Sequence, residues 1–159
     1  MRITMRSLLR LAVMGWLVLL GGQVSAESNR VQFPDLSKQV HYTTVKRGEV
    51  TEHISTTREA IEAMQNKQPI PNGTQFVLAD YRNGNIHRYF VMEKGQGWGD
   101  DFDERTRTDD WQFQWFWPDQ QINLKENTTR CMSCHRAQRE RGYLFTGGRI
   151  LDFRGTPVE

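Results

Sequence analysis

Alternating apolar and polar side chains mark four short strands in the middle of the chain. Residues 40–45 and 50–55 are rich in Val, Thr, Tyr and Ile and flank a Lys-Arg-Gly-Glu turn, which predicts a first hairpin. Residues 74–81 and 86–93 flank Asn83-Gly84, and this dipeptide favours a tight turn because it tolerates positive φ. The pattern therefore predicts two antiparallel hairpins.

One short helix is predicted between these hairpins. In Thr56-Thr57-Arg58-Glu59 a hydroxyl and a carboxylate stand three residues apart, as in a capping box. Apolar residues then follow at helical spacing from Ala60 to Met64. We expect the helix to end near Lys67, because the prolines in residues 69–73 remove amide donors.

An aromatic strand is predicted after an acidic loop. The acidic residues of 100–110 lack the spacing of an EF-hand and are mixed with arginines, which favours a solvated loop. In residues 111–117 large aromatic residues alternate with Gln112, Gln114 and Phe116. A strand there would turn one aromatic face inward and a mostly amide face outward. The inward face would either fill the core or form one wall of a site for a flat, apolar cofactor.

The amino terminus has the pattern of an export signal. Arg2, Arg6 and Arg10 precede the apolar stretch Leu11–Leu20, and small residues follow up to Ala26. The apolar stretch is about half as long as the ~20 residues needed to span a bilayer. We therefore expect residues 1–26 to be a cleaved signal peptide and residues 27–159 to form one secreted, periplasmic domain without a membrane span.

Charge and composition narrow the class of protein further. The predicted leader holds three of the 21 basic residues and no acid, so the mature chain would carry 18 basic and 19 acidic residues. No basic field remains to indicate nucleic acid as a partner. A hydrophobic fraction of 37% and a mean hydropathy of −0.69 fit one soluble domain and exclude a polytopic membrane protein.

The chemistry of the chain is concentrated in Cys131-Met132-Ser133-Cys134-His135. In an exported protein, C-x-x-C-H is typical of covalent haem attachment. The two thiols add across the haem vinyl groups, and the adjacent histidine binds the iron. The sequence therefore predicts one haem c per chain, bound through Cys131 and Cys134 with His135 as the metal ligand.

Two other uses of the cysteine pair compete with haem. A thioredoxin-like redox pair should follow an early strand and begin a helix of a βαβ unit, whereas this motif lies near the carboxyl end after an antiparallel pattern. A zinc site would need further Cys or His at ligand spacing, and His41, His53 and His87 are scattered. Both comparisons favour haem.

The order of these features resembles one family. The capped helix, the Pro-Asn-Gly-Thr turn, the element Gly97-Trp98-Gly99, the C-x-x-C-H motif and the tail Tyr143-Leu144-Phe145 are similar to the cytochrome P-460 and cytochrome c′-beta family, over residues 33–146. The resemblance implies an α+β fold with an antiparallel sheet and flanking helices. It also implies a homodimer and a five-coordinate haem with one open face.

Two functions follow from that open face. In the P-460 branch a lysine is attached to the porphyrin, and the family members that have it oxidise hydroxylamine or related nitrogen species. In the c′-beta branch this lysine bond is absent, and apolar side chains restrict the iron to small gases such as nitric oxide. The strand after Gly73 contains no lysine, so Lys67 is the nearest candidate and Lys94 the next. An apolar lid would come from Phe76, Leu78, Phe90 and Met92.

The remaining candidates are polar or sulfur-containing residues that also fit ordinary surface or core positions. A sixth iron ligand would make the protein a simple electron carrier, and the candidates are His41, His53, His87, Met64 and Met92. A proton relay would use Glu93, Glu104 or Glu126. Propionates or an acidic redox partner would be bound by Arg130, Arg136, Arg139 and Arg141. We expect a c-type haem protein that binds nitric oxide or a similar small ligand, with hydroxylamine oxidation or electron transfer alone as alternatives.

Overall fold

Strands and short helices alternate along the part of the chain that the structure, a computed structural model, describes, which is residues 30–159. The strands are β1 Val40–Arg47, β2 Val50–Thr56, β3 Gln75–Arg82, β4 Asn85–Lys94 and β5 Trp111–Phe116, and the α-helices are α1 Arg58–Gln65, α2 Thr129–Arg136 and α3 Gly147–Asp152. Single 3-10 turns lie at Leu36–Lys38, Trp98–Asp101 and Arg139–Arg141. No helix between residues 30 and 159 is long and apolar enough to cross a membrane. The predicted signal peptide, residues 1–26, lies outside the described residues.

The five strands form one antiparallel sheet in chain order, β1-β2-β3-β4-β5. This architecture confirms the α+β class and both predicted hairpins. At the β3–β4 turn Asn83 has φ 50° and Gly84 has φ 76°, as a two-residue hairpin turn with positive φ at both positions requires. The strand boundaries differ from the prediction by one or two residues.

Helix α1 begins and ends slightly differently from the prediction. The hydroxyl of Thr57, and not that of Thr56, accepts the hydrogen bond that caps the helix, from the backbone N–H of Ala60 at 3.3 Å. Thr56 belongs to β2, and its hydroxyl donates to the carbonyl of Gln75 at 2.8 Å. The helix ends at Gln65, two residues before Lys67.

One face of the sheet carries two rows of large apolar side chains. Direct pairing places Ile54, Leu78, Phe90 and Trp115 in one row, and Phe76, Met92 and Phe113 in the next. The helices cover this face and contribute Ile61, Met132 and Ile150 to the same buried cluster. Gln65 of α1 fastens the last helix, since its side-chain amide donates to the carbonyls of Ile150 and Phe153 at 3.0 and 2.9 Å.

The opposite face of β5 is also buried, so the prediction of an outward amide face was wrong. Gln112, Gln114 and Phe116 are only 2%, 5% and 1% exposed. The segment that leads into β1 covers them: the backbone N–H of Arg30 donates to the Gln112 side chain at 3.1 Å, and the Phe33 ring lies 5.2 Å from that of Phe116. The alternating pattern of β5 does not predict that its second face is buried, because the segment that covers this face is distant in the sequence.

Candidate functional site

Helix α2 presents both cysteines of the motif on one side. Cys131 and Cys134 are three residues apart, which is close to one helical turn, and neither is in a disulfide. Met132, only 1% exposed, anchors the helix in the core. Burial, and secondarily the charge of Glu126, raises the pKa of Cys131 to about 11. A thioredoxin-like pair needs a thiol with a lowered pKa, so the structure disfavours that use.

The imidazole of His135 is oriented by a backbone carbonyl. Its Nδ1 lies 2.7 Å from the carbonyl oxygen of Tyr143, and because a carbonyl can only accept, Nδ1 carries the proton and Nε2 is the basic nitrogen. Tyr143 follows Gly142 in a left-handed turn, with φ 65° and 64°, and this turn brings the carbonyl back toward α2.

Two aromatic rings fix the same imidazole from the sides. The Phe113 ring centre lies 4.7 Å and the Phe145 ring centre 5.0 Å from that of His135. Burial lowers the pKa of His135, and the hydrogen bond to Tyr143 opposes this effect. The imidazole is therefore held neutral, which is the form that binds a metal ion.

A cavity of about 410 Å³ lies between α2 and the sheet. Cys131, Cys134 and His135 line it together with apolar side chains, which are Ile54, Phe76, Leu78, Phe90, Met92, Phe113, Leu144 and Phe145. All four residues of the predicted apolar lid are among them. Two thiols on one side of a helix, a neutral imidazole and walls of flat apolar side chains fit a haem.

Neither candidate lysine lines this cavity. Lys67 is exposed and follows α1 with φ 55°. Lys94 lines a different cavity beside Trp111, and its ammonium group donates to the carbonyl of Ile70 at 3.4 Å. Within residues 30–159, none of the side chains that line the cavity of His135 is a lysine.

Of the candidate sixth ligands, the structure brings only Met92 to the cavity, among the residues described. His53 lies on the other face of the sheet, where it stacks on His41 with ring centres 4.6 Å apart. Met64 and His87 do not line the cavity either. The predicted set of five is thereby reduced to one residue.

The candidate acids and arginines separate in a similar way. Glu126 and Arg130 line the cavity and form an ion pair of 3.6 Å. Glu104, Arg136 and Arg139 line a separate polar cavity on the outer side of α2. Glu93 lies near the amino-terminal segment, where its carboxylate accepts from Gln75 at 3.0 Å, and Arg141 is exposed.

The polar end of the cavity was not predicted from the sequence. Arg47, Glu52 and Arg88 line it there. At the opposite end, the buried hydroxyl of Tyr42 lies 2.7 Å from that of Thr146. The signal for the charged residues was present, because Glu52 and Arg88 continue the period-2 rows of Ile54 and Phe90, but it can be interpreted only once the strand register is known.

No curated protein matches the chain at a significant level. The family model of cytochrome P460 matches residues 32–146. The matched region includes the whole sheet, helices α1 and α2 and the turn that orients His135. Since this match covers more than half of the chain, the protein belongs to the cytochrome P460 family of c-type haem proteins.

Proposed function

We propose that this protein is a periplasmic monohaem cytochrome that binds nitric oxide or a similar small, uncharged ligand. One haem is attached through Cys131 and Cys134, and His135 binds the iron. The observation that carries the proposal is the cavity itself: it combines the C-x-x-C-H side chains with a sheet face of apolar side chains, and no lysine lines it among residues 30–159. When bound, haem supplies a redox-active iron with a coordination position for a small ligand.

The proximal side chains hold the metal ligand in one orientation. The Tyr143 carbonyl accepts the Nδ1 proton of His135, which keeps Nε2 unprotonated and increases its basicity. Phe113 and Phe145 prevent rotation of the ring by contacting it from two sides. These contacts are formed by β5 and by the segment after α2, so the ligand position is built by the fold and not by the motif alone.

The sheet side of the cavity selects the ligand by polarity and size. Phe76 and Met92 are 4% and 6% exposed, and Leu78 and Phe90 complete an apolar surface. A charged or strongly hydrated ligand would lose its water there without compensating hydrogen bonds, whereas a neutral diatomic loses little. This difference favours nitric oxide over hydroxylammonium or nitrite.

The two alternative functions make different demands on the chain. Hydroxylamine oxidation through a lysine cross-link would require Lys67 or Lys94 to leave its present position. Electron transfer alone is favoured by one specific observation, since Met92 lines the cavity and its thioether is a known type of axial ligand. Met92 is therefore the residue that separates a gas-binding protein from a simple electron carrier.

Optical spectra of the full chain, produced in a host that matures c-type cytochromes, test the proposal. We expect a coloured protein with a high-spin ferrous spectrum that changes on addition of nitric oxide. A six-coordinate, low-spin ferrous spectrum without added ligand would contradict it. In that case Met92→Leu should abolish the low-spin spectrum if Met92 is the ligand, and Met64→Leu, which changes a methionine outside the cavity, is the matched control.

Mass spectrometry tests attachment, export and the enzymatic alternative together. We expect haem on the peptide that contains Cys131 and Cys134, an amino terminus at Glu27, and no haem on peptides that contain Lys67 or Lys94. A colourless protein with the mass of the bare chain would remove the haem proposal. A third link to a lysine, together with turnover of hydroxylamine, would establish the oxidase instead.

We also propose two kinds of protein partner, a redox partner and a second copy of this chain. A redox partner protein would exchange electrons with the haem, and a homodimer is the assembly that the family resemblance implies. Analytical ultracentrifugation of the matured protein measures the second of these directly.

A further inference from the structure

A cluster of charged side chains closes one end of the cavity. Asp80, whose side chain is only 3% exposed, pairs with Arg88 at 2.9 Å and with Arg82 at 3.4 Å. Glu52 pairs with Arg47 at 3.2 Å. Three guanidinium groups thus face two carboxylates, so the cluster carries one positive charge that its own acids do not balance. Arg47, Glu52 and Arg88 line the cavity, whereas Arg82 does not.

The guanidinium group of Arg88 is held by one ion pair and two aromatic rings, but only one of its nitrogen atoms donates a hydrogen bond to a described residue. Its Nε donates to Asp80, and its guanidinium carbon lies 4.7 Å from the Phe90 ring centre and 4.9 Å from that of Trp115. Its two terminal amino groups have no acceptor among the residues that the structure describes. The Arg88 side chain is 25% exposed, so these amino groups are not fully buried. Because Arg88 lines the cavity, the two amino groups are available to an acceptor that enters it.

We infer that Arg88 is the carboxylate-binding residue of this cavity and that the carboxylate is a propionate of the haem; the inference rests on the proposed haem attachment. A guanidinium group binds a carboxylate through two parallel N–H donors, and Arg88 retains two terminal amino groups for this purpose. Haem carries its propionates on the edge opposite the vinyl groups that the cysteines bind. A propionate would also balance the extra positive charge of the cluster.

The position of Arg88 in the sheet agrees with this role. Along β3 and β4 the directly paired residues are Phe76 with Met92, then Leu78 with Phe90, and then Asp80 with Arg88. The first two pairs are suited to the apolar body of a porphyrin, and the third pair is charged. Arg88 therefore takes the role that the sequence assigned to the arginines around the motif, of which only Arg130 lines the cavity.

The test measures the midpoint potential of the matured protein across a pH range, by spectroelectrochemistry. A guanidinium partner lowers the pKa of a carboxyl by about 1 to 3. In Arg88→Gln we expect the propionate ionisation to move up by this amount, so that the midpoint potential gains a new pH-dependent region on the neutral side. Arg88→Lys keeps the charge but loses the planar pair of donors, and should shift the ionisation by less.

Arg82→Gln is the matched control, because it removes a charge of the same cluster and a partner of Asp80, but Arg82 does not line the cavity and its side chain is 44% exposed. The propionate ionisation should therefore move much less than in Arg88→Gln, since solvent screens this charge. An offset of the potential in Arg88→Gln that is the same at every pH would overturn the inference in favour of a charge acting at a distance. Nitrite titration of the same variants tests an external anion as the ligand of Arg88. If Arg88→Gln binds nitrite more weakly than the wild type while the pH profile of its midpoint potential is unchanged, the inference is overturned in favour of an external anion.

The wild-type protein alone also decides the question if Arg88 variants fail to fold. Haem carries two propionates, and the inference requires that one of them stays ionised well below neutral pH. Ionisation of both propionates near neutral pH in the potential curve would show that no guanidinium holds either group, and would overturn the inference. These outcomes are independent of nitric oxide binding, since they need only attached haem. Failure of the haem proposal appears earlier, as a colourless protein.

Discussion

The buried hydroxyl of Tyr42 links β1 to the segment that follows the haem motif. Tyr42 is 0% exposed, and its oxygen lies 2.7 Å from the Thr146 hydroxyl. Burial raises the pKa of Tyr42 well above its ordinary value, so the phenol remains protonated over the accessible pH range. The local pattern predicts β1 but not this hydrogen bond, because the two residues are 104 positions apart.

We expect Tyr42→Phe to lower the free energy of unfolding by about 1 kcal/mol, since a buried hydrogen bond is lost and little packing changes. Thr146→Val should cost a similar amount. The double variant should cost less than the two single changes together, because both remove the same bond. Urea unfolding of the matured protein measures all three. Fully additive costs would show that the two hydroxyls do not interact.

The stacked histidines on the other sheet face give a second prediction at this scale. Burial, and secondarily the neighbouring His41, lowers the pKa of His53; Lys46 acts in the same direction, and Glu159 opposes them. Tyr81 packs against the same ring. The folded protein therefore favours neutral His53. As pH falls below the ordinary value of 6.5, the unfolded chain binds the proton first, and stability decreases until pH passes the lower folded pKa.

Replacement of His53 by Gln should therefore flatten the decrease in melting temperature on acidification from neutral pH through this range. Thermal unfolding followed by circular dichroism at several pH values measures the effect in the matured protein. His87→Gln is the control, because His87 does not belong to the stacked pair. An identical pH dependence in His53→Gln and the wild type would contradict the prediction.

At the scale of elements, the sequence predicts what local interactions determine. The β3–β4 turn is fixed by the two residues Asn83 and Gly84, so its position was correct to within one residue. The cap of α1 was misplaced by one residue because Thr56 and Thr57 offer the same hydroxyl, and only the pairing of β2 with β3 assigns Thr56 to the sheet. The local sequence pattern alone does not show which of the two threonines caps the helix.

Two glycines allow the turn to be tested by a matched pair of substitutions. Gly84 has φ 76°, whereas Gly148 in α3 does not lie in the left-handed region, and a Cβ on either residue would meet no atom within 4 Å. Gly84→Ala should therefore cost about 1 kcal/mol through backbone strain alone. Gly148→Ala should stabilise the protein by roughly 0.5 kcal/mol, since alanine is the better helix former. Equal effects of the two substitutions on urea unfolding would refute this account of the turn.

At the scale of the whole molecule, the site depends on contacts that no local pattern contains. The C-x-x-C-H motif was identified from spacing, but the carbonyl that orients His135 depends on a left-handed turn eight residues later. The charged end of the cavity requires the register of three strands, because a slip of one residue would turn Glu52, Asp80 and Arg88 to the other face. Lys67 was a candidate because it is the lysine nearest to the strand after Gly73, and the structure leaves it outside the cavity, since closeness in sequence does not fix its position in space.

The sheet separates two buried clusters of apolar side chains, one on each face. Substitutions that lie on one face and away from the cavity should therefore affect stability alone, whereas substitutions on the other face should also affect the haem spectrum. One cluster contains Phe113, which contacts His135, on the cavity face. The other contains Val31, Val77, Val91 and Phe116 on the opposite face. Val77 and Val91 also line the cavity, whereas Val31 and Phe116 do not. A change at Val31 or Phe116 should therefore reach the haem only through global unfolding, whereas a change at Phe113 should also alter the orientation of the proximal imidazole.

We expect Val31→Ala to lower the free energy of unfolding by about 2 kcal/mol, since Val31 is 0% exposed and its loss leaves a cavity. The optical spectrum and the nitric oxide affinity of the folded protein should not change. Phe113→Leu should cost about 1 kcal/mol and should alter both properties, because the ring beside His135 is lost. Urea unfolding and ligand titration of the two matured variants measure these effects. A spectral change in Val31→Ala as large as that in Phe113→Leu would mean that the sheet does not isolate the proximal site from the opposite face.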